Sequence, residues 1–393
     1  MESNIVVFTG IEEKRAFFSM VDDKLHIASF DTANTRDMDK IYLGRIQNMV
    51  PNLKAAFVEY QKGVRGFLPL NEEQLRTYKC EMRLPVQVKK EAVKTKDAVL
   101  STELSFTGIY VVVTDKAGGL TFSKKIDKEK RETILAYCQD VVSQDLTYII
   151  RTNVLSLKDN DMFLLVDEIV RLTKELRDMK SRVDSRTFYS KLYDGAPFVQ
   201  ACLANIDFDK VTKVVTDSKE EFDYLSQLLP EHVRGVLNLY EDTSFPLTAL
   251  YGMKGKLHEA LSCTVWLKSG GYLVIEPTEA LTVIDVNSGK NQKNISKKEL
   301  CIRTNAEAAE MIPYILSSRN ISGIVIVDFI SNNDEKEDAK LLKLMRSHMK
   351  YDYVKTDVVD ITPLGLVEIT RQKKDIPLRD QLTEVGLYET FRH

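Results

Sequence analysis

Residues 281–289 read LTVIDVNSG, a largely apolar run that reaches a carboxylate at Asp285 and then breaks into the turn-forming residues Asn287, Ser288 and Gly289. The layout recurs at residues 324–331, IVIVDFIS, where Asp328 follows an apolar strand. Between them Glu299 to Leu316 carries a helical pattern, which Pro313 is expected to bend or end. Strand, helix and strand in that order form a unit that delivers both carboxylates to one edge of a sheet. An ionised carboxylate at the end of an apolar strand is expensive unless compensated, either by a Lys or Arg or by a cation shared between the two aspartates. Magnesium suits the second alternative, because it keeps several waters and takes one or two protein carboxylates plus phosphate oxygens. Such an ion eases loss of a proton from bound water and offsets charge developing on phosphorus. Asn287 could orient the water or a phosphate oxygen, and Lys290, Lys293, Lys297 and Lys298 bring positive charge beside the pair. His26, His232, His258, His348 and His393 are isolated from one another, so acid/base cleavage by histidine is disfavoured.

Toward the N-terminus the pattern changes. NIVVFTG, KRAFFSMVDD and KLHIASFD alternate like short strands of a meander. From Ile41, IYLGRIQNMVPNLKAAFVEYQKGVRGFLPL sets short β-branched and aromatic runs between Gly44, Pro51, Gly63 and Gly66, and LPVQVKKEAVKTKDAVLSTELSFTGIYVVV continues them, which points to a small barrel. From Asp39 to Asp97 twelve Lys/Arg stand against seven Asp/Glu, an excess able to attract phosphates. Phe57 and Phe67 flank Lys54, Lys62 and Arg65. They are either barrel core or a stacking face for the bases of a single strand.

A helix is expected from Asp127 to about Val142, followed by the strand DLTYIIRTN. Between Asp161 and Ser190, the residues Ile169, Leu172, Leu176, Met179 and Val183 form one stripe of a long amphipathic helix, a packing feature rather than a ligand site. After Gly195 and Pro197 come a strand (KVTKVVTD), a helix (KEEFDYLSQLLPE) and a strand (VRGVLNLYE). HEALSCTVWLKSGGYLVIEPTEALTVIDVNSGKN then reads as successive strands with SGG as a tight hairpin. Glu335 to Met349 reads as a helix, and VKTDVVDITPLGLVEITRQ as two final strands.

At 393 residues the chain is too long for one core, and with 44% hydrophobic and 29% charged residues it has an ordinary globular composition. The net charge of −3 excludes a uniformly basic coat. Cys80, Cys138, Cys202, Cys263 and Cys301 form no C-x-x-C pair, which disfavours a zinc knuckle or a disulfide framework. The acidic N-terminal stretch is unlike a signal peptide and no stretch approaches a membrane span, so a cytoplasmic location is expected.

Taken together, IYLGRIQNMVPNLKAAFVEYQKGVRGFLPL, EALTVIDVNSGK, RTNAEAAE, SGIVIVDFI and ITPLGLVEITRQ resemble, in order, segments of the ribonuclease E/G family. The resemblance implies an α+β multidomain fold: an RNase H-like domain begun at 1–37 and completed at 196–258, an S1-type OB barrel at 38–115, a 5′-sensor region with a long helix at 116–195, and a DNase I-like α/β catalytic domain at 259–393. It implies magnesium-dependent hydrolysis of single-stranded RNA to leave a 5′-phosphate, with Asp285 and Asp328 as metal ligands and catalytic residues and Asn287 in support. It places Phe57, Phe67 and Lys96 on the RNA-binding face, and assigns sensing of a 5′-monophosphate to Arg151, Thr152 and Lys355. Manganese fits the same ligands.

The sequence also departs from the family pattern. Residues 372–393 lack the cysteine pair through which such proteins are joined by zinc, so no zinc and no zinc-linked dimer are expected, and the oligomeric state is left open. Ser331 and Asn332 stand where an acidic residue is usual, and Asp97 stands where a glycine is expected after Lys96. An RNA-binding protein without efficient cleavage is the competing reading; retention of two carboxylates that would repel an RNA backbone favours the nuclease.

Overall fold

The computed structural model describes residues 4–32, 36–92, 96–289, 296–331, 334–350 and 352–392. They form two compact units, one of Met1–Asp31, Lys210–Tyr224 and Val236–His393, the other of Thr32–Asp209 and Leu225–Gly235.

In the first unit the N-terminal strands Asn4–Ile11, Lys14–Val21 and Lys24–Phe30 are joined by two-residue turns at Glu12-Glu13 and Asp22-Asp23. All four turn residues take positive φ, the backbone twist that suits a tight hairpin. Asn4–Ile11 also pairs in parallel with Val211–Thr216, which pairs with Leu237–Leu239, so the meander is one side of a five-stranded mixed sheet. Val7, Phe18, Met20 and Phe30 pack with Met253, Leu257, Leu378, Leu382 and Phe391. Those partners lie on the helices Met253–Leu261, Leu378–Glu384 and Tyr388–Arg392. Residues 258–261 are therefore helical rather than extended as their sequence suggests, because Met253, Leu257 and Ala260 bury one face of a helix.

The second sheet of this unit runs Thr264–Trp266, Tyr272–Pro277, Leu281–Asn287, Gly323–Asp328, Leu366–Arg371 and Thr356–Ile361, in that spatial order. Ile284, Val286, Val325 and Val327 pack against Ala308, Ile312 and Leu316 of the helix Lys297–Ser318 and Met345 of the helix Glu335–Met349. Pro313 does not end its helix, which continues to Ser318. The lost N–H bond is offset by burial of Ile312, Ile315 and Leu316 on both sides of it.

In the second unit Ile41–Val50, Ala55–Gln61, Val64–Pro69, Ala98–Ser101 and Arg83–Lys90 close into a five-stranded barrel of OB type, with Arg83–Lys90 pairing back onto Ile41–Val50. Ile46, Ala56, Val58, Tyr60, Leu68, Val86 and Leu100 fill it. Gly66 is required where two walls approach, since a Cβ there would lie 2.6 Å from Leu100 Cγ. A four-stranded sheet, Gly119–Phe122, Thr147–Ile150, Val111–Thr114 and Ser105–Thr107, also belongs to this unit, as does the helix Met162–Arg182, whose Ile169, Leu172, Leu176 and Met179 are buried. Among the described residues no helix is long and apolar enough to cross a membrane.

Candidate metal and nucleic-acid site

The strands Leu281–Asn287 and Gly323–Asp328 run parallel, joined by the crossover helix, and in their register Asp285 stands directly beside Asp328. Neighbouring strands lie about 4.8 Å apart, which sets the backbone separation of the two residues. Alternation along each strand turns Ile284, Val286, Val325 and Val327 into the core and both aspartates onto the opposite face, where they are exposed. The cost of a buried carboxylate, on which the sequence argument leaned, therefore does not arise. What arises instead is mutual repulsion of two adjacent negative charges. Asn287 donates its Nδ2–H to Asp285 Oδ2 at 2.8 Å. Among the described residues no Lys or Arg forms an ion pair with either carboxylate. Two adjacent oxygen donors without a basic partner fit a hard divalent cation that completes its shell with water and phosphate oxygens. Among the described residues no group of three or more His, Cys, Asp or Glu is placed to hold a metal.

The surroundings hold the pair in place. Asn305, buried in the helix Lys297–Ser318, donates to the Ile330 carbonyl at 2.8 Å and accepts the Ile330 N–H at 3.1 Å, clamping the chain just past Asp328. A Cβ at Gly271 would lie 2.7 Å from the Asn287 carbonyl, so only glycine lets the hairpin back that strand end. That hairpin is a longer loop, closed by Leu267 N–H to the Gly271 carbonyl at 2.8 Å, with Gly270 at φ +83°. Sequence reasoning missed Asn305; its signal was a lone amide among the alanines of RTNAEAAE. Lys298 pairs with Asp334 at 2.9 Å, which lowers the carboxyl's pKa and raises that of the ammonium. Lys297 is exposed, while Lys290, Lys293 and Asn332 lie outside the described residues.

On the barrel, Phe57 and Phe67 are direct cross-strand partners with ring centroids 6.0 Å apart in an edge-to-face arrangement. Both are half-buried on the outer wall, while Ala56, Val58 and Leu68 between them face the core. The Arg65 guanidinium lies 5.0 Å from the Phe57 ring centroid and its Nε donates to Asp97 Oδ1 at 3.3 Å. Asp97, a departure in the sequence, thus tethers the cation over the aromatic face. Lys96 is exposed beside it.

Arg151 directly follows the strand Thr147–Ile150 and precedes the 3-10 turn Thr152–Ser156, and its Nη2 donates to the Ala204 carbonyl at 2.9 Å. Burial lowers its pKa from the ordinary value, but a guanidinium remains charged. Thr152 follows it, half-buried. The backbone that receives Arg151 is itself held: Glu168 accepts the N–H groups of Ile109, Tyr110 and Val111 at 2.8, 2.7 and 3.0 Å, and the Tyr110 carbonyl accepts the Arg151 N–H at 2.8 Å. Lys355 belongs to the first unit, where it is exposed and pairs with Asp357 at 3.4 Å.

The sequence matches the Ribonuclease E/G family over residues 105–374. It is 30% identical over 353 residues to ribonuclease E of Nostoc sp., covering 85% of this chain and 51% of that protein. To ribonuclease G of Salmonella typhimurium it is 28% identical over 355 residues, 85% of this chain and 72% of that protein. The chain thus spans about half the length of the ribonuclease E relatives it matches, among them that of Synechocystis sp., at 53%. The extent of these matches, running across the strands that carry Asp285 and Asp328, shows that the chain belongs to the ribonuclease E/G family.

Proposed function

We propose that the chain is an endoribonuclease of RNA processing or decay that hydrolyses single-stranded RNA with magnesium, or manganese in its place, leaving a 5′-phosphate. The observation that carries this reading is the register of Asp285 beside Asp328 on an open sheet face, without a basic partner among the described residues. A divalent ion bound there would make a water more acidic and neutralise charge on the phosphate. The chain's own residues do the rest. Asp285 and Asp328 supply the oxygens that hold the ion. Asn287 commits one amide N–H to Asp285 and keeps a second for a phosphate oxygen. Attack of water oxygen on phosphorus breaks the bond to the 3′ oxygen, so the downstream product keeps the phosphate.

Phe57 and Phe67, with Arg65 and Lys96 beside them, offer a stacking and charge surface for an unpaired strand. Arg151 and Thr152 supply a guanidinium and a hydroxyl, donors that suit a terminal 5′-monophosphate, and the reading includes a preference for such ends. Cleavage of 5′-monophosphorylated single-stranded RNA with magnesium tests the proposal. Asp285→Asn and Asp328→Asn are each expected to lower kcat/KM by about 100-fold or more, since loss even of an outer-shell partner costs about 10–100-fold. Cutting by both variants at the wild-type rate would overturn the site. Equal rates on 5′-triphosphate and 5′-monophosphate ends, unchanged by Arg151→Ala, would overturn the end preference.

A further inference from the structure

The open face of the second sheet carries an aromatic pair next to the aspartates. Trp266, the single tryptophan of the 393 residues, is 69% exposed on an edge strand of three residues. In register, Trp266 neighbours Tyr272 and Tyr272 neighbours Asn287, so the three side chains form a row on the face that also bears Asp285. The Trp266 and Tyr272 rings lie 5.2 Å apart at 51°, forming an open V rather than a closed stack. Diagonal neighbours on adjacent strands are roughly 7–8 Å apart, which is the backbone separation of Tyr272 from Asp285. Lys268, exposed in the adjoining turn, adds positive charge at the same end.

A large ring left in water on a sheet edge gains free energy when a flat partner covers it. The occupant consistent with a phosphodiester-cutting site one diagonal away is a nucleobase. We infer that Trp266 and Tyr272 form a base-stacking subsite for the nucleotide next to the scissile phosphate, an inference that rests on the endoribonuclease reading. The base lies on one ring and meets the other with its edge, a contact open to all four bases because each has a π face. Discrimination at this position is therefore for an unstacked base over a paired one, not for a base identity.

Because Trp266 is the only indole, its emission reports the subsite directly. The full chain carrying Asp328→Asn, in which cleavage is slow enough for the RNA to outlast the measurement, is titrated with end-labelled single-stranded RNA in magnesium while anisotropy of the label and Trp266 emission are followed together. Emission is expected to change saturably, with the same midpoint as the anisotropy. In an otherwise wild-type chain, Trp266→Leu and Tyr272→Leu are expected to raise KM about tenfold, the effect of losing one stacked base. They are also expected to remove the penalty that an abasic nucleotide beside the cleavage site imposes on the wild type. Binding by anisotropy with Trp266 emission unchanged, together with wild-type KM in Trp266→Leu, overturns the subsite and leaves the nuclease reading standing. Absence of binding by anisotropy overturns both.

Discussion

Arg371→Ala should be among the most destabilising single substitutions in the first unit. Arg371 is 2% exposed, and its guanidinium makes a two-pronged contact with Asp352, Nε to Oδ2 at 2.7 Å and Nη2 to Oδ1 at 3.0 Å. Its Nη1 donates to Asn320 Oδ1 at 3.1 Å and to the Ile321 carbonyl at 3.0 Å, and its Cζ lies 5.5 Å from the Tyr353 ring centroid. Burial works against the charge, but the Asp352 carboxylate more than offsets it, and the arginine's pKa rises. Truncation leaves a buried carboxylate with the Thr356 hydroxyl at 2.8 Å and the Val354 N–H at 3.0 Å as its remaining donors. Removing one member of such a pair costs roughly 3–5 kcal/mol, and the two remaining donors place the expectation near the lower end. For a unit of 150–250 residues about 3 kcal/mol corresponds to a fall in Tm of roughly 6–12 °C. Urea unfolding gives the free energy from the midpoint at unchanged m. Replacing both partners, as Arg371→Met with Asp352→Leu, should recover most of the loss, because no buried charge is then left alone. A loss below about 1 kcal/mol for Arg371→Ala, or strict additivity of the two single variants, would refute the reasoning.

Phe57→Ala and Phe67→Ala should each weaken single-stranded RNA binding by about 1–3 kcal/mol while Tm stays within about 2 °C of wild type, since both rings lie outside the barrel core; a large fall in Tm with unchanged affinity would reassign them as packing residues. His26 is set among the Tyr314 and Tyr353 rings. Desolvation lowers its pKa, Asp352 opposes the fall, and Arg371 and Lys210 add to it. Below about pH 6.5 the unfolded chain therefore binds a proton that the folded chain resists, and stability is lost as pH falls toward the folded value. Tm measured from pH 7.5 to 5.5 should decline less in His26→Gln than in wild type, and parallel curves would exclude the histidine as the cause.

Local patterning was readable wherever one face of an element is buried. The helix Glu335–Met349 has the bounds its periodicity suggests, and in the barrel Pro51 and Gly63 stand at turns as expected, whereas Gly44 and Gly66 lie inside the strands Ile41–Val50 and Val64–Pro69, where close approach of another wall rather than a turn requires glycine. Residues 258–261 were misread, and the helix was not ended at Pro313, for one reason: what decides both is burial against distant partners, Phe18 and Leu382 in one case and the second sheet in the other. The helices Leu378–Glu384 and Tyr388–Arg392 were missed because their short stripes gain meaning only once packed on the N-terminal strands. Neither Arg371 nor Asp352 carried any sequence mark of its burial.

For the candidate site the division is similar. The sequence by itself determined that Asp285 and Asp328 lie near the C-terminal ends of two strands with a helix between them, because side-chain period and turn chemistry are local; Asp328 ends its strand, whereas the strand of Asp285 runs on to Asn287. Only the tertiary structure decided that they are neighbours, that both face away from the core, and that Phe57 and Phe67 point out of the barrel together. Those are matters of register, in which sliding one strand by a single residue would send every side chain to the other face, and register is set by the whole sheet and what packs on it.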